Sequence, residues 1–295
     1  MVDLGVSQQI ISAEQRKRYE SDGYLHLNGF VDTGSLEELR NTADEFVEVS
    51  RKQSASDKLL DLEPGHSSQS PRIRRLNSPV DNHEVFRRFS LEGPVAELAC
   101  ALLGGPVRYH HSKLNFKWSS GGEEVKWHQD IQFWPHTDFS PLTIGVYLAD
   151  VDDEMGPMGV LPGSHLGRLY DQYLPDGGWN GAMNEEDVAG LDLSEVVWLT
   201  GTAGSVTVHN CCMVHGSVPN NSPRPRPLLL QTYSRVDSYP IAHIGANGVT
   251  GPLSGAIIGG RSSQRLVVQG REILGAPDWS RNGAPTIFGS QQQDS

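Results

Sequence analysis

The sequence has few cysteines, no long apolar run and fewer basic than acidic residues. Its three cysteines, Cys100, Cys211 and Cys212, cannot form a disulfide framework, and an odd number suits a reducing compartment. No stretch approaches the roughly 20 consecutive apolar residues that a membrane-spanning helix needs. The N-terminal residues show no basic segment followed by an apolar one, as a signal peptide would. We therefore expect a cytoplasmic protein with no membrane partner.

The charge and the length narrow the class of protein further. The net charge is −12, from 36 acidic and 24 basic residues. Nucleic acid and anionic membranes would repel such a chain, so neither is an expected partner. At 295 residues the chain suits one domain, because barrels and sandwiches often run to about 200–250 residues before helical additions. Nothing in the sequence indicates an oligomeric state.

Residues 1–105 are predicted to be mainly helical. Two segments carry the spacing of a helix capping box, one beginning at Ser12 and one at Ser35. A third helix is expected to start at Pro94, because proline is well tolerated in a first helical turn. Residues 51–82 are polar, show no period and are expected to form a loop.

From residue 106 to 236 the apolar period changes to two, which is typical of strands. A helical preface followed by many short strands predicts a mostly β protein of α+β type, a barrel or sandwich with the N-terminal helices packed outside. Residues 237–295 are predicted to form a C-terminal extension that is Gly- and Ser-rich from residue 250, and the last dozen residues are expected to be disordered. The segments predicted as strands are PVRYHHSKLNFKW, VKWHQDIQFW, PLTIGVYLADV, EVVWLT, GSVTVHN and RPLLLQTYSRV.

The segment EVKWHQDIQFWPHTD contains His-x-Asp twice, at His128/Asp130 and at His136/Asp138. Residues two apart on a strand point to the same side, so either pair could grip a metal ion. The first pair follows an alternating approach typical of a half-buried strand. The second follows Pro135, which marks an edge or loop. We therefore favour His128 and Asp130 as ligands and expect the second pair to be polar loop residues near the mouth of the site.

His215 supplies a third ligand, 85 residues after Asp130, at the predicted end of a strand. Two histidines and a carboxylate form the facial triad of non-haem Fe(II) oxygenases, which leaves coordination positions open. A structural zinc site would be closed by four ligands, often cysteines, and the chain offers no such cluster. His209 is expected to pack in the core or to bond to a neighbour.

Arg226 follows a Pro- and Asn-rich turn and begins the next predicted strand, where its guanidinium could point toward the metal. An arginine can hold a carboxylate through two parallel hydrogen bonds, which lysine cannot reproduce. Arg224 or Arg235 could take this role instead, and a solvated surface arginine is an equal alternative.

The motifs WHQD, MGVLPGSH and HGSVPNNSPRPR resemble those of the phytanoyl-CoA dioxygenase family of Fe(II)/2-oxoglutarate oxygenases. The opening YESDGYLHLNGFVD is similar to the usual start of that family, so the resemblance spans most of the chain up to about residue 236. It implies a double-stranded β-helix, the jelly-roll barrel shared with cupins.

The resemblance also implies roles for single residues. His128, Asp130 and His215 match the iron ligands, and Arg226 matches the arginine that binds the distal carboxylate of 2-oxoglutarate. Ser217 matches a position that often helps to hold this carboxylate. The segment KLNFKW is similar to one in the ectoine hydroxylase branch, where Asn115 would contact the co-substrate.

The implied reaction uses Fe(II), 2-oxoglutarate and O2 to hydroxylate an unactivated C–H bond, with release of succinate and CO2. Related halogenases lack the carboxylate ligand, so Asp130 favours hydroxylation, with desaturation, epoxidation and cyclisation as alternatives. Two rivals are a barrel that only binds a ligand and a cupin-type enzyme that uses another metal without 2-oxoglutarate.

Ile131, Phe133 and Trp134 follow the metal pair and could line the substrate pocket, although an aromatic cluster there could equally be core. No basic cluster obviously suits the phosphates of coenzyme A. We therefore expect the substrate to be a small molecule or secondary metabolite.

Overall fold

The structure is a computed structural model that describes residues 10–119, 122–241, 251–261, 263, 265–268 and 270–274. The described helices are α1 (Ala13–Asp22), α2 (Thr33–Ser50), α3 (Pro79–Asn82), α4 (Glu84–Glu92), α5 (Pro94–Leu103) and α6 (Glu185–Ala189). The described strands are β1 (Tyr24–Leu27), β2 (Leu60–Leu62), β3 (Ile73–Asn77), β4 (Val107–Lys117), β5 (Val125–His128), β6 (Leu142–Tyr147), β7 (Met158–Val160), β8 (Val197–Leu199), β9 (Val206–Asn210), β10 (His215–Ser217), β11 (Arg226–Arg235), β12 (Ile257–Ile258), β13 (Arg265–Val268) and β14 (Arg271–Leu274).

Two antiparallel sheets carry the fold. The large sheet has the order β1-β9-β6-β11-β4-β3-β2, with β12 beside β4. The small sheet has the order β5-β10-β7-β8, and β13 pairs with β14 as a separate hairpin. Most neighbouring strands are not consecutive in sequence, so each sheet joins residues from distant parts of the chain. Among the described residues, no helix combines the length and the apolar composition needed to cross a bilayer.

The large sheet has one face against the helices and one face that is more polar. On β11, Leu229 packs into the core that also contains the helix residues Leu39 and Leu98, whereas Leu228 and Leu230 belong to a separate small cluster. This alternation follows from the period of two along a strand. The same alternation defines the other face, the inner face, which contacts the small sheet and the turn after β5 through Lys117 and Thr143. Its residues include Lys113, Asn115 and Lys117 of β4, Thr143 and Tyr147 of β6, and Thr207 and His209 of β9.

The helix boundaries follow from their caps. Ser12 caps α1 with a complete capping box, as the sequence predicts, and Gly23 ends the helix at φ 79°. The predicted start of the second helix at Ser35 is wrong, because the side chain of Asp32 accepts the Ser35 N–H and α2 therefore begins at Thr33. The third predicted helix is α5, with Pro94 as its first residue.

Two further predictions need correction. Residues 51–82 were predicted to be a loop, yet β2 and β3 lie there and extend the large sheet. Their hydrogen bonds come from each other and from β4, a distant partner that no local period reveals. The strand predicted over residues 125–134 ends at His128 and gives way to a short 3₁₀ turn. The disorder predicted for the last dozen residues concerns positions outside the described residues.

Candidate metal centre

The first His-x-Asp pair lies where β5 meets β10. His128 ends β5 and stands directly opposite His215, the first residue of β10, in the antiparallel ladder. Asp130 lies in the 3₁₀ turn that follows, not on the strand itself. Asp130 Oδ1 is 3.7 Å from His128 Nε2 and 3.9 Å from His215 Nε2. These three buried residues offer ligand atoms that all lie within 4.8 Å of one another, so the structure brings the predicted triad together.

Both imidazoles are fixed in the same tautomer by the backbone. His128 Nδ1 lies 2.8 Å from the carbonyl oxygen of Lys126, and His215 Nδ1 lies 2.9 Å from that of Met213. A carbonyl only accepts, so each Nδ1 donates its proton and each Nε2 keeps a lone pair directed toward Asp130. Burial lowers the pKa of both rings, which keeps them neutral at neutral pH. This donor set fits a divalent metal ion with two imidazole ligands and one carboxylate ligand.

The second oxygen of Asp130 is held by two neighbours on the large sheet. His209 Nε2 and Thr143 Oγ1 each lie 3.4 Å from Asp130 Oδ2 and can donate to it. Burial raises the pKa of this carboxyl, but the hydrogen bond from His209 and the charge of Lys113 outweigh burial, and the pKa lies well below its usual value. Asp130 is therefore ionised, with Oδ1 left facing the imidazoles.

Arg226 and Lys117 form a buried cationic pair at the end of the β4–β11 ladder. The two residues are ladder partners, and Arg226 Nε and Nη1 have no hydrogen-bond partner among the described residues. Lys117 Nζ donates to Ser217 Oγ and to the Val218 carbonyl, both at 2.6 Å. Burial and the Arg226 charge lower the pKa of Lys117 to about 7. Unsatisfied buried cationic donors are costly unless an anion meets them, so this pair suits a carboxylate.

The two alternative arginines point elsewhere. Arg224 is exposed and pairs with Asp152, and Arg235 is exposed and pairs with Asp237 at 3.0 Å. Of the three candidates, Arg226 alone is buried on the inner face of the large sheet.

Asn115 lies on this same face, two residues before Lys117. Its Oδ1 accepts a hydrogen bond of 2.9 Å from Arg75 Nε, since Arg75 is its ladder partner on β3. Its role as a co-substrate contact stays a prediction.

The three predicted pocket residues have different environments. Ile131 and Trp134 are buried and pack in a cluster with Cys211 and Cys212. The Phe133 ring is 37% exposed and its centroid lies 5.8 Å from that of His128 in an edge-on arrangement. Phe133 is thus the one of the three that both reaches solvent and contacts a triad residue, while the pocket assignment itself stays a prediction.

The second His-x-Asp pair, expected to be polar loop residues near the mouth of the site, instead makes contacts inside the fold. His136 is buried beside His110, with ring centroids 5.0 Å apart. Asp138 Oδ1 accepts hydrogen bonds from Ser140 and Ser238 and so fastens two loops together. Asp138 Oδ1 therefore accepts three hydrogen bonds that hold these loops, which gives Asp138 a structural role.

Two residues at the site, Lys117 and Thr143, were not predicted from the sequence. His209 is buried and bonds to its neighbour Asp130, in line with the expectation. A signal for Lys117 existed, because Lys113, Asn115 and Lys117 alternate on a strand opposite Arg226. Thr143 gives no comparable signal, since its contact with Asp130 depends on how the two sheets face each other.

The comparisons with known proteins agree with this geometry. The family model for phytanoyl-CoA dioxygenase matches residues 19–228. A probable alpha-ketoglutarate-dependent hypophosphite dioxygenase from Stutzerimonas stutzeri is 33% identical, over 80% of this chain and 83% of that protein. An L-proline trans-4-hydroxylase from Streptomyces griseoviridis is 32% identical, over 80% of this chain and 91% of that protein.

Among solved structures, the crystal structure of EctD from S. alaskensis with bound Fe matches with a TM-score of 0.63 at 29% identity. The match covers 77% of this chain and 78% of that one. The chain therefore belongs to the phytanoyl-CoA dioxygenase family of Fe(II)- and 2-oxoglutarate-dependent oxygenases.

Proposed function

We propose that this protein is an Fe(II)- and 2-oxoglutarate-dependent dioxygenase that hydroxylates a C–H bond of a small molecule. The observation that carries the proposal is the meeting of His128, Asp130 and His215 beside an inner face where Arg226 Nε and Nη1 have no hydrogen-bond partner among the described residues. When bound, iron and 2-oxoglutarate supply the oxidising chemistry, which consumes O2 and releases succinate and CO2.

The chain's own residues would hold the metal on one side. His128 Nε2, His215 Nε2 and Asp130 Oδ1 are the ligand atoms, and the bonds to Nδ1 and Oδ2 keep them aimed at one point. Three protein ligands leave further positions for a co-substrate. Because the triad is buried, these groups also keep bulk water from the reacting centre.

The co-substrate would be anchored by its distal carboxylate. Arg226 can donate Nε–H and Nη1–H to this carboxylate, and Lys117 adds a second positive charge next to it. Ser217 lies two residues from His215 and already accepts from Lys117, so it links the anchor to the metal strand. The contact assigned to Asn115 belongs to the same proposal.

The presence of Asp130 favours hydroxylation, with desaturation, epoxidation or cyclisation as the alternative outcomes of the same chemistry. The relatives named above act on hypophosphite and L-proline, which supports a small-molecule substrate here. Ile131, Phe133 and Trp134 remain the candidates for the pocket wall.

The architecture that goes with this function is a double-stranded β-helix in a single domain. The two antiparallel sheets support it, because their facing sides hold the triad and the cationic pair between them. The N-terminal helices cover the opposite face of the large sheet. We expect an enzyme of this family with this sequence to be cytoplasmic.

Two alternative functions leave features of the site unexplained. A barrel that only binds a ligand does not need three converging metal ligands. A metal enzyme without 2-oxoglutarate does not need a buried Arg226 whose Nε and Nη1 have no partner in the described part of the chain.

The test is anaerobic titration of the purified protein with Fe(II) and 2-oxoglutarate, followed by the visible charge-transfer band of the metal–oxo-acid chelate. Wild type should form the band. The variant Arg226→Gln should weaken 2-oxoglutarate binding about 10- to 100-fold, because a charge-assisted pair is lost, while Fe(II) binding is retained.

Arg224→Gln is the matched control, since it removes an exposed arginine two residues away and should leave both affinities unchanged. Absence of the band in wild type would refute the proposal, and equal loss of iron and co-substrate in Arg226→Gln would indicate a folding defect.

A further inference from the structure

The inner face of the large sheet carries more positive charge than the co-substrate needs. Its cationic residues come from three strands, and the sequence does not bring them together: Arg75 of β3, Lys113 and Lys117 of β4, and Arg226 of β11. Lys117 and Arg226 are accounted for by the distal carboxylate of 2-oxoglutarate. Arg75 and Lys113 are not.

Of the two cations that the co-substrate does not explain, Lys113 is the one without a direct contact to its charge among the described residues. It is half-buried, and its ammonium makes no hydrogen bond or ion pair with any described residue. Burial lowers the pKa of Lys113, the charge of Asp130 raises it, and the charge of Arg75 lowers it again. The ammonium therefore interacts electrostatically with Asp130 of the triad. Asp130, however, already has other partners: its Oδ1 faces the imidazoles, and its Oδ2 accepts from Thr143 and His209.

Arg75 reinforces the positive charge at this point. Its Nε–H is used by Asn115 Oδ1 at 2.9 Å, which turns the guanidinium toward the β4 face. The ladder places Asn115 opposite Arg75 and Lys113 opposite Asn77, so the two cationic residues lie diagonally across neighbouring strands. Asp61, the ladder partner of Arg75 on β2, offsets part of its charge, whereas Lys113 has no such partner in the ladder.

One molecule of 2-oxoglutarate is too short to place a carboxylate next to both Lys113 and Lys117. Lys113 and Lys117 are four residues apart on one strand, which is about 13 Å between their Cα atoms. A five-carbon diacid measures only about 5 Å between its terminal carbons. Fe(II) and 2-oxoglutarate also carry opposite double charges, so binding both adds no net negative charge for Lys113.

We propose that Lys113, supported by Arg75, binds an oxyanion of the substrate next to the metal triad. The substrate is then a small molecule that carries a carboxylate or a phosphorus oxyanion, oriented by this anchor so that its reacting bond faces the metal. The inference rests on the proposed function and adds the substrate class to it.

The test uses the anaerobic complex with Fe(II) and 2-oxoglutarate, whose visible band shifts when a second ligand enters the site. The probes are hypophosphite as a phosphorus oxyanion, L-proline and ectoine as carboxylates, and L-prolinamide as a counterpart without the carboxylate. Binding is measured as the probe concentration that gives half of the band shift.

At least one anion should bind wild type more tightly than L-prolinamide, and which anion does so separates the two oxyanion types. Lys113→Met should weaken that anion about 10-fold or more, since a charge-assisted contact is lost, with the 2-oxoglutarate affinity unchanged. Lys113→Arg keeps the charge and should retain most of the binding. Lys17→Met removes an exposed lysine of α1 and should behave as wild type.

The inference is overturned if the band forms but no anion binds more tightly than L-prolinamide, or if Lys113→Met binds the anion as wild type does. It is also overturned if Lys113→Met loses 2-oxoglutarate affinity as Arg226→Gln does, because Lys113 would then serve the co-substrate. A wild type that forms no band would overturn the proposed function itself and this inference with it.

Discussion

At the scale of single residues, the two His-x-Asp pairs differ in the aspartate rather than in the histidine. His136 Nδ1 lies 2.7 Å from the Trp134 carbonyl, the same bond to residue i−2 that orients His128. Asp138, however, accepts hydrogen bonds from two serines, whereas Asp130 has one oxygen, Oδ1, that faces the imidazoles. The sequence could favour the right pair through Pro135, but the reason that the other pair is unsuitable depends on the loop contacts of Asp138.

A pH dependence follows from Lys117. Because its pKa is lowered to about 7, Lys117 loses its proton and its charge as the pH rises from 6 to 9. The site then attracts the distal carboxylate less strongly, so the affinity for 2-oxoglutarate should fall over this range, by up to about 10-fold. The measurement is the 2-oxoglutarate dissociation constant of the anaerobic Fe(II) protein at several pH values.

The variant Lys117→Met provides the comparison for this pH profile. Its affinity should be low at pH 6 and should not fall further as the pH rises. A wild-type profile that stays flat between pH 6 and 9, or a fall that persists unchanged in Lys117→Met, would rule out Lys117 as the group responsible.

At the scale of secondary structure elements, local patterns predicted the long strands and the capped helices well. The strands β4, β6, β9 and β11 alternate over enough residues for the period of two to show, and α1 and α5 carry complete end signals. The short strands β2, β3, β7 and β10 were not predicted, because their hydrogen bonds come from other segments of the chain and not from a local pattern.

The short strand β10 shows how an unpredicted element determines the site. It places His215 opposite His128, and its central residue is Gly216. A Cβ at Gly216 would lie 2.8 Å from the Val125 carbonyl oxygen and 3.3 Å from the Trp127 ring. The close approach of β5 to β10, and with it the spacing of the two imidazoles, therefore requires glycine at this position.

Gly216→Ala should force β5 and β10 apart and lower the free energy of unfolding by about 1–3 kcal/mol. We expect Fe(II) affinity to fall by about 10-fold as well, since two of the three ligands lie on these strands. Thermal unfolding and anaerobic Fe(II) titration measure the two effects. Gly105→Ala is the matched control, because nothing lies within 4 Å of its added Cβ. Equal behaviour of the two variants would contradict this role of β10.

At the scale of the whole molecule, the charge of the chain and the charge of its site have opposite signs. The net charge of −12 gives no hint of the inner face, where residues from position 75 to position 226 gather four cationic side chains. The sequence therefore contains no basic cluster among residues that are neighbours along the chain. A basic cluster does form among neighbours across the sheet, which strand order and register bring together.

The same order of strands explains why the triad could be predicted and its surroundings could not. His128, Asp130 and His215 are chemically distinctive and match family motifs, whereas Thr143 and Lys117 are ordinary residues whose roles arise from packing. Contacts between the two sheets, such as Lys117 to Ser217 and Thr143 to Asp130, complete the site.

The most direct test of this account is anomalous diffraction at the iron absorption edge from crystals grown without oxygen in the presence of Fe(II) and 2-oxoglutarate. We expect one dominant iron peak bonded to His128 Nε2, Asp130 Oδ1 and His215 Nε2. An iron peak at His136 and Asp138, or a peak that lacks any one of these three ligands, would contradict it.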